Sequence, residues 1–535
     1  MKKKWIMIFI IILCLFLISC KKHMVIPDNT DPHNHEIDDI DPKDNDPEDV
    51  DPNENTQDDE AYEYEMCYAN YVDSDYLYSQ VRMFVKDAEI PVYNCKVNFA
   101  HTWSPDAPQR MNNGVAIIGL NGTVKLRLEL VFNPNDRCVI RPLEKNITPK
   151  IDNEKRIIEF VISEAGQYTI ELSNDRTIHL FVNQLNQYFE YKDIENIIYF
   201  GPGVHNKYNS EHINSSNMIN LSSNTIVFID YGAIVEAGFI ANNKENITIV
   251  GNGIVSGAPF SRSASTNSKL IPYEFNYCKN LKFYGISTLD PAGWCYNLYF
   301  CENVELDNIK IISSRSNGDG VSIQSCKHVK CTNSFVRSWD DSLVVKNYPQ
   351  WSNRSLEGTT QDILFDNCII WTDLAQSMEV GYETVGEVME DITFSNITVL
   401  HNFHKAPISI HNANNAHLKN VTFKNIIVED AKMGKGDGRN ILIEITAEFS
   451  STWSDGHKVT SLGSVDGVLI ENVKVYNANN PLISIRGSID SRSEYDDSIH
   501  YVSNVTIKDL FINGEKIDKN YNNLETVYVQ NVNFE

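Results

Sequence analysis

The chain has 535 residues and a formal net charge of −26. That length exceeds one ordinary compact core and points to several domains or to one elongated repeat. The acidic balance gives no support to binding of nucleic acid or another polyanion, although much of the charge proves to be local.

Residues 1–20 open with Lys2, Lys3 and Lys4, continue through an apolar run from Ile6 to Ile18, and end in Leu17-Ile18-Ser19-Cys20. The run is too short for a comfortable membrane span and reads as a secretory signal. Its last four residues resemble a bacterial lipobox, which implies cleavage before Cys20 and lipidation of the Cys20 sulfur. Lys21 supplies no Asp-type retention signal, so the expected location is the cell envelope, on the outer membrane or cell surface. Residues 21–65 carry few apolar side chains and repeat Asp-Pro at 31–32, 41–42, 46–47 and 51–52. Such a segment cannot bury enough surface to fold and is expected to act as a self-repelling tether.

Residues 66–196 show short alternating runs, among them 124–130 (Val-Lys-Leu-Arg-Leu-Glu-Leu) and 168–172 (Tyr-Thr-Ile-Glu-Leu). Asn133-Pro134-Asn135-Asp136 and Ser173-Asn174-Asp175 punctuate them. Period-two alternation with turn residues between predicts an antiparallel β-sandwich, a packing or carbohydrate-contacting module without catalytic groups of its own.

From 197 to 535 a different unit recurs, in which a polar residue precedes a short alternating strand and a second strand follows. The units begin at Asn246, Asn280, Asn303, His328, Asp362, Asp391, Asn420, Gly467 and Asn504. Their starts lie 23 to 37 residues apart, with one longer gap between 420 and 467. Short strands repeating with loop insertions predict a parallel β-helix, with Asn, Asp and Gly at corners that need left-handed backbone. Of the 11 cysteines, Cys278, Cys301 and Cys326 each stand two positions before a unit start. They read as a column of small buried side chains, because equivalent positions on stacked strands do not supply the tetrahedral geometry of a metal site. No metal or cofactor is expected.

Chemistry concentrates at Asn317-Gly318-Asp319-Gly320 and at Asp340-Asp341, about one coil later. Stacked strands sit about 4.8 Å apart, so residues one coil apart become neighbours. Matching the inward pairs Val321/Ile323 and Leu343/Val345 puts Asp341 in the column of Asp319, with Asp340 one residue before it. The next coils place Gln376 and then Ala406 in that column. Glu379, Tyr382 and Glu383 border the site from the third coil. Crowded carboxylates raise one another's pKa and can divide acid and base roles, as inverting glycosidic cleavage requires. The same residues are compatible with simple turns, and with a Ca²⁺-dependent lyase using Arg315, Arg337 or Lys346 as base. A non-catalytic glycan-binding surface protein is a third possibility. Trp294, Trp339, Tyr348, Trp351 and Trp371 are candidates to line a sugar groove, because aromatic faces stack on pyranose rings.

Taken together, Gly201-Pro202-Gly203-Val204-His205, the 251–257 turn (Gly-Asn-Gly-Ile-Val-Ser-Gly), Asn317-Gly318-Asp319-Gly320 and Asp340-Asp341 resemble the right-handed β-helix glycoside hydrolases. That clan holds the family 28 polygalacturonases and the family 49 dextranases and isopullulanases. The resemblance covers residues 200 to 420 and implies Asp340 as general acid, with Asp319 and Asp341 holding and deprotonating the attacking water. The polygalacturonase pattern continues with Gly-His-Gly and Arg-Ile-Lys, whereas this chain has Ala375-Gln376-Ser377 and Ser409-Ile410-His411. The cations that grip a galacturonate are absent from those columns. Glu379-Val380-Gly381-Tyr382 instead resembles the corresponding run of the dextranase-like family, which also carries a β-sandwich before its β-helix. A dextran-like, neutral or mixed polysaccharide is therefore the expected substrate. Trp294, Arg315, Lys346, Gln376, Glu379, Tyr382 and His411 are the candidate substrate-binding residues.

Overall fold

The computed structural model describes residues 62–70, 72–104, 110–262, 269–348, 358–453, 461–489 and 498–535. The signal, the lipidation site at Cys20, the tether up to residue 61, and Trp351 lie outside the described residues.

Two sheets form the N-terminal β-sandwich. One contains Tyr64–Tyr68, Val92–Asn98, Arg110–Gly122, Cys138–Arg141, Gly166–Leu172 and Thr177–Gln184. The other contains Val81–Val85, Ala88–Ile90, Val124–Leu130, Lys150–Asp152 and Ile157–Ile162. Strict alternation along Val124–Leu130 sends Val124, Leu126, Leu128 and Leu130 inward. The first strand starts at Tyr64, two residues inside the stretch assigned to the tether, because the apolar face of Met66 and Tyr68 outweighs the acidic composition around it. A second departure from the expected pattern is that Arg110–Gly122 and Thr177–Gln184 pair in parallel. The chain between them passes through the opposite sheet, which is long enough a connection for parallel pairing.

Past Ile198 the chain winds as a right-handed parallel β-helix. A representative coil runs Glu302–Asp307, Lys310–Ile312, Val321–Gln324, and the next runs Lys327–Thr332, Phe335–Ser338, Leu343–Asn347. Up to Met378–Thr384 every third strand joins an 11-stranded parallel sheet while the other two continue a ladder of 20; beyond it the two ladder strands of a coil fuse, as in Gly386–Asn402 and His417–Val428. Inward residues of one coil stack on those of the next, as Val304, Leu306, Val321 and Ile323 do on Val329, Cys331, Leu343 and Val345.

The residues that open the repeats are corners. Their φ lies between 53° and 58° at Asn246, Asn280, Asn303, His328, Asp362, Asp391, Asn420 and Asn504, and is 79° at Gly467. Asn and Asp tolerate that backbone better than other L residues. Their amides also bridge coils, with Asn280 Nδ2 donating to Asn246 Oδ1 at 3.0 Å and Asn303 Nδ2 to Asn280 Oδ1 at 3.2 Å. The cysteine column forms as expected: Cys278, Cys301 and Cys326 are buried, and the Cys301 amide donates to Cys326 Sγ at 3.2 Å.

The sandwich lies along one flank of the β-helix. Val97, Val115, Ile117 and Phe181 pack against Ile234, Ile254, Ile312, Phe335 and Trp371. Within this contact Arg337 is fully buried, pairs with Asp373 at 3.2 Å, donates to Thr177 Oγ1 at 3.2 Å and lies 3.8 Å from the Trp371 ring centre. Trp339 is fully buried too, and its Nε1 donates to Ala100 O at 2.9 Å. Trp339 and Trp371 therefore serve the domain contact and line no sugar groove. The same burial removes Arg337 as a candidate base. Their strands' outward face is the one the sandwich covers.

Candidate active site

The carboxylates sit at the turns leading into the third strands of successive coils. The turn before Val321–Gln324 is packed so closely that a Cβ on Gly318 would fall 2.1 Å from Ser313 Oγ, and one on Gly320 2.4 Å from Ser342 O. Asn317 takes a left-handed φ of 50°. Those constraints fix Asp319 between two glycines, 1 % exposed.

Register follows the inward pairs. Val321 pairs with Leu343 and Ile323 with Val345, and Leu343 and Val345 pair with Met378 and Val380. Asp319, Asp341 and Gln376 therefore form one column, tied by the Gly320 amide donating to Asp341 O at 2.8 Å and the Ser342 amide to Gln376 O at 2.9 Å. The Gln376 amide also donates to Asp341 Oδ1 at 3.3 Å. Asp340 is held differently. Its Oδ2 accepts from the Asn317 amide at 3.0 Å and its Oδ1 from the Asp341 amide at 3.1 Å, so backbone from two coils orients it.

Lys346 joins the group from the end of its strand. Its Nζ lies 3.2 Å from Asp319 Oδ2, 3.5 Å from Asp341 Oδ2 and 3.5 Å from Glu383 Oε2. It also stands 4.9 Å from the ring centre of Trp294, which in turn packs on Tyr348. Burial raises the pKa of all three aspartates. For Asp319 burial is the largest cause, Lys346 opposes it, Asp340 and Glu383 reinforce it, and the result is about 7. The same carboxylates hold Lys346 above its ordinary value against the effect of its own burial.

A second buried row continues along the same sheet. Glu379 pairs in register with Ser409, and Ser409 with Glu444. Glu379 accepts from the Ser409 hydroxyl, and its Oε1 lies 2.8 Å from His411 Nδ1. On its other side His411 Nε2 stands 3.2 Å from Glu444 Oε2, off the line of a good hydrogen bond. Burial alone would lower the His411 pKa, but Glu379 and Glu444 outweigh it and raise it to about 9. Tyr382 stacks on this imidazole, 3.9 Å between ring centres and 9° from parallel. Arg439 closes the row at 2.6 Å from Glu444 Oε1.

The structure thus brings Asp319, Asp340, Asp341, Lys346, Trp294, Gln376, Glu379, Tyr382 and His411 onto one row of adjacent coils. Arg315 is committed elsewhere: it is buried, with Nε 3.1 Å and Nη2 2.7 Å from the Asp290 carboxylate and Nη1 on the Phe260 carbonyl. A cation next to the Asn317–Gly320 motif is used here to anchor the turn that carries it. Two participants escape sequence reading. Glu444 had a usable signal, because Ile443-Glu444-Ile445 repeats the apolar-polar-apolar form of Ile408-Ser409-Ile410, yet a long insertion separates the two. Arg262, which bonds Ser316 O at 3.1 Å and the Asn317 side chain, arrives on a loop with no periodicity.

Residues 213–435 match the model of glycosyl hydrolases family 28, a span that includes all three aspartates and His411. Over that span the chain is similar to the β-helix glycoside hydrolases. Among solved structures, Dex49A from Penicillium minioluteum aligns with 84% of this chain and 93% of its own, at 12% identity and a TM-score of 0.52, which speaks for the shared fold. A hyperthermoactive exopolygalacturonase from Thermotoga maritima aligns at 16% identity over 63% of this chain and 83% of its own, with a TM-score of 0.44. The family 28 exopolygalacturonase of Yersinia enterocolitica aligns at 13% identity over 88% and 96%, with a TM-score of 0.40. No curated protein matches the chain. The family match supports a glycoside hydrolase acting on a polysaccharide.

Proposed function

We propose that the chain is an inverting polysaccharide hydrolase in which Asp340 protonates the departing glycosidic oxygen while Asp319 and Asp341 hold and deprotonate the attacking water. The observation that carries this reading is the division of the three carboxylates. Asp319 and Asp341 share a column and one ammonium, at 3.2 and 3.5 Å. Asp340 stands apart on two backbone amides. Two acids in unlike surroundings can take unlike roles. An inverting enzyme further needs about 6.5–9.5 Å between acid and base for the water.

A neutral or mixed glycan, dextran-like in its lack of charge, is the favoured substrate. The cations of the row, Lys346, His411 and Arg439, are each paired with the protein's own carboxylates, which leaves little to grip a uronate. The same pairing argues against a lyase, because a Lys base must be neutral and Lys346 is held charged. We further propose that lipidation at Cys20 and the acidic tether hold this domain at the envelope surface.

The test is incubation of the full chain with a panel of α-glucans, pectins and host glycans, following product anomer by proton NMR and unsaturation by ultraviolet absorbance. Saturated products of inverted anomeric configuration are expected, and Asp340→Asn is expected to lose about 10²–10⁴-fold in turnover while remaining folded. Unsaturated ends would replace this reading with a lyase. Binding without any product would replace it with a glycan-binding protein.

A further inference from the structure

Lys346 is placed oddly for a residue that binds sugar. It is 5 % exposed, and it reaches three carboxylates from three coils: Asp319 before Val321–Gln324, Asp341 before its own strand and Glu383 in Met378–Thr384. An ammonium has three donor directions. Here three protein carboxylates stand within 3.5 Å, Asp319 hydrogen-bonded at 3.2 Å, and the Trp294 ring covers the site at 4.9 Å.

We propose, on the basis of the hydrolase reading above, that Lys346 is a positioning residue: its ammonium draws the Asp319 and Asp341 carboxylates to one water-sized place and favours their ionised forms against the burial and mutual repulsion that oppose them. Without a central cation, buried carboxylates one coil apart repel and one of them takes up a proton, which removes the base. With it, the base is a pair that shares one counterion. Other charged groups also act on this centre. Asp340 and Glu379 add negative potential to Asp341, and Glu383 adds it to Asp319. Arg262 acts on Asp340, whereas Lys269 acts on Asp319 and has Glu274 beside it. His411 is spent between Glu379 and Glu444.

The direct measurement is carbon NMR of the full chain labelled at the aspartate γ-carbon, with Asp319→Asn and Asp341→Asn identifying the two signals. In Lys346→Met the titration midpoints of both are expected to rise by more than about one pH unit, and Lys346→Arg is expected to stay within about half a unit of wild type. Lys346→Gln serves as the neutral variant if Lys346→Met does not fold. Unmoved midpoints in the neutral variant overturn the proposal. On whichever polysaccharide of the panel the wild type cuts, the neutral variant is expected to lose about 100-fold in kcat with KM within about threefold, the acid limb of its pH profile moving upward. A raised KM with intact kcat would instead make Lys346 a sugar ligand. If the wild type cuts nothing, the hydrolase reading falls while the NMR result still decides whether Lys346 sets the ionisation of the pair.

Discussion

Charge is buried on both flanks of this β-helix, in different proportions. Under the sandwich, Arg337 faces Asp373 with both side chains 0% exposed, and Arg141 lies 2.6 Å from Glu171 and 2.7 Å from Glu429. Arg337 is also met by the neutral Thr177 and His179, and His401 shares Glu171 with Arg141. On the aspartate row, one ammonium serves three carboxylates within 3.5 Å, with Asp340 alongside. Matched burial fixes one domain on another, whereas a surplus of one sign stores protons that chemistry can use.

Substitutions that exchange the two roles test this contrast, and the largest effect belongs to the row. Asp319→Asn and Asp341→Asn are each expected to lower kcat by about 10²–10⁴-fold with little loss of thermal stability, since each relieves repulsion among buried acids. A large drop in the unfolding temperature of either variant would mean that the row is structural too. Next in size, Arg337→Met leaves Asp373 buried without its partner, and urea unfolding is expected to register a loss of about 3–5 kcal/mol. Adding Asp373→Asn to Arg337→Met is expected to recover part of that loss. Failure to recover any would show that the contact depends on the guanidinium's other neighbours, Trp371 and Thr177, more than on its charge.

How much of this was legible in the sequence depended on which physical rule placed each residue. Parallel register is set by the inward apolar pairs, so Val321/Ile323 over Leu343/Val345 was enough to bring Asp319 and Asp341 into one column. The corner asparagines were legible for a similar reason, because few L residues accept a φ near 55°. The flank covered by the sandwich was not. Trp339 and Trp371 alternate outward just as groove-lining aromatics would, and nothing local tells which outward face a separate domain will cover. Loop-borne partners were equally hidden: Arg262 reaches Ser316 across 54 residues with no repeat to announce it. Glu444 lay within reach of the register argument, but the insertion before it interrupts the spacing that made the argument work.

The pH dependence of stability separates the two flanks by sign. In the native state Asp319 titrates at about 7 instead of 3.8, because burial exceeds the pull of Lys346. Between those values the folded chain keeps a proton that the unfolded chain releases, so this contribution to stability is whole below about pH 4 and is lost as pH rises through 7. His411 behaves alike in a higher window, whole below 6.5 and lost as pH passes about 9. Buried His179 and Lys310, both lowered by burial, push the other way. The measurement is therefore a difference, wild type minus variant, from urea unfolding at a series of pH values. For Asp319→Asn it is expected to slope downward between pH 4 and 7 by at most about 1.4 kcal/mol per unit, and for His411→Gln the slope is expected above 6.5. For Arg337→Met the difference is expected to slope upward with pH, since Asp373 without Arg337 holds a proton more readily and the variant loses stability as pH rises. A downward slope there would mean that Arg337 does not hold Asp373 ionised, and the distinction between matched and surplus charge would fail.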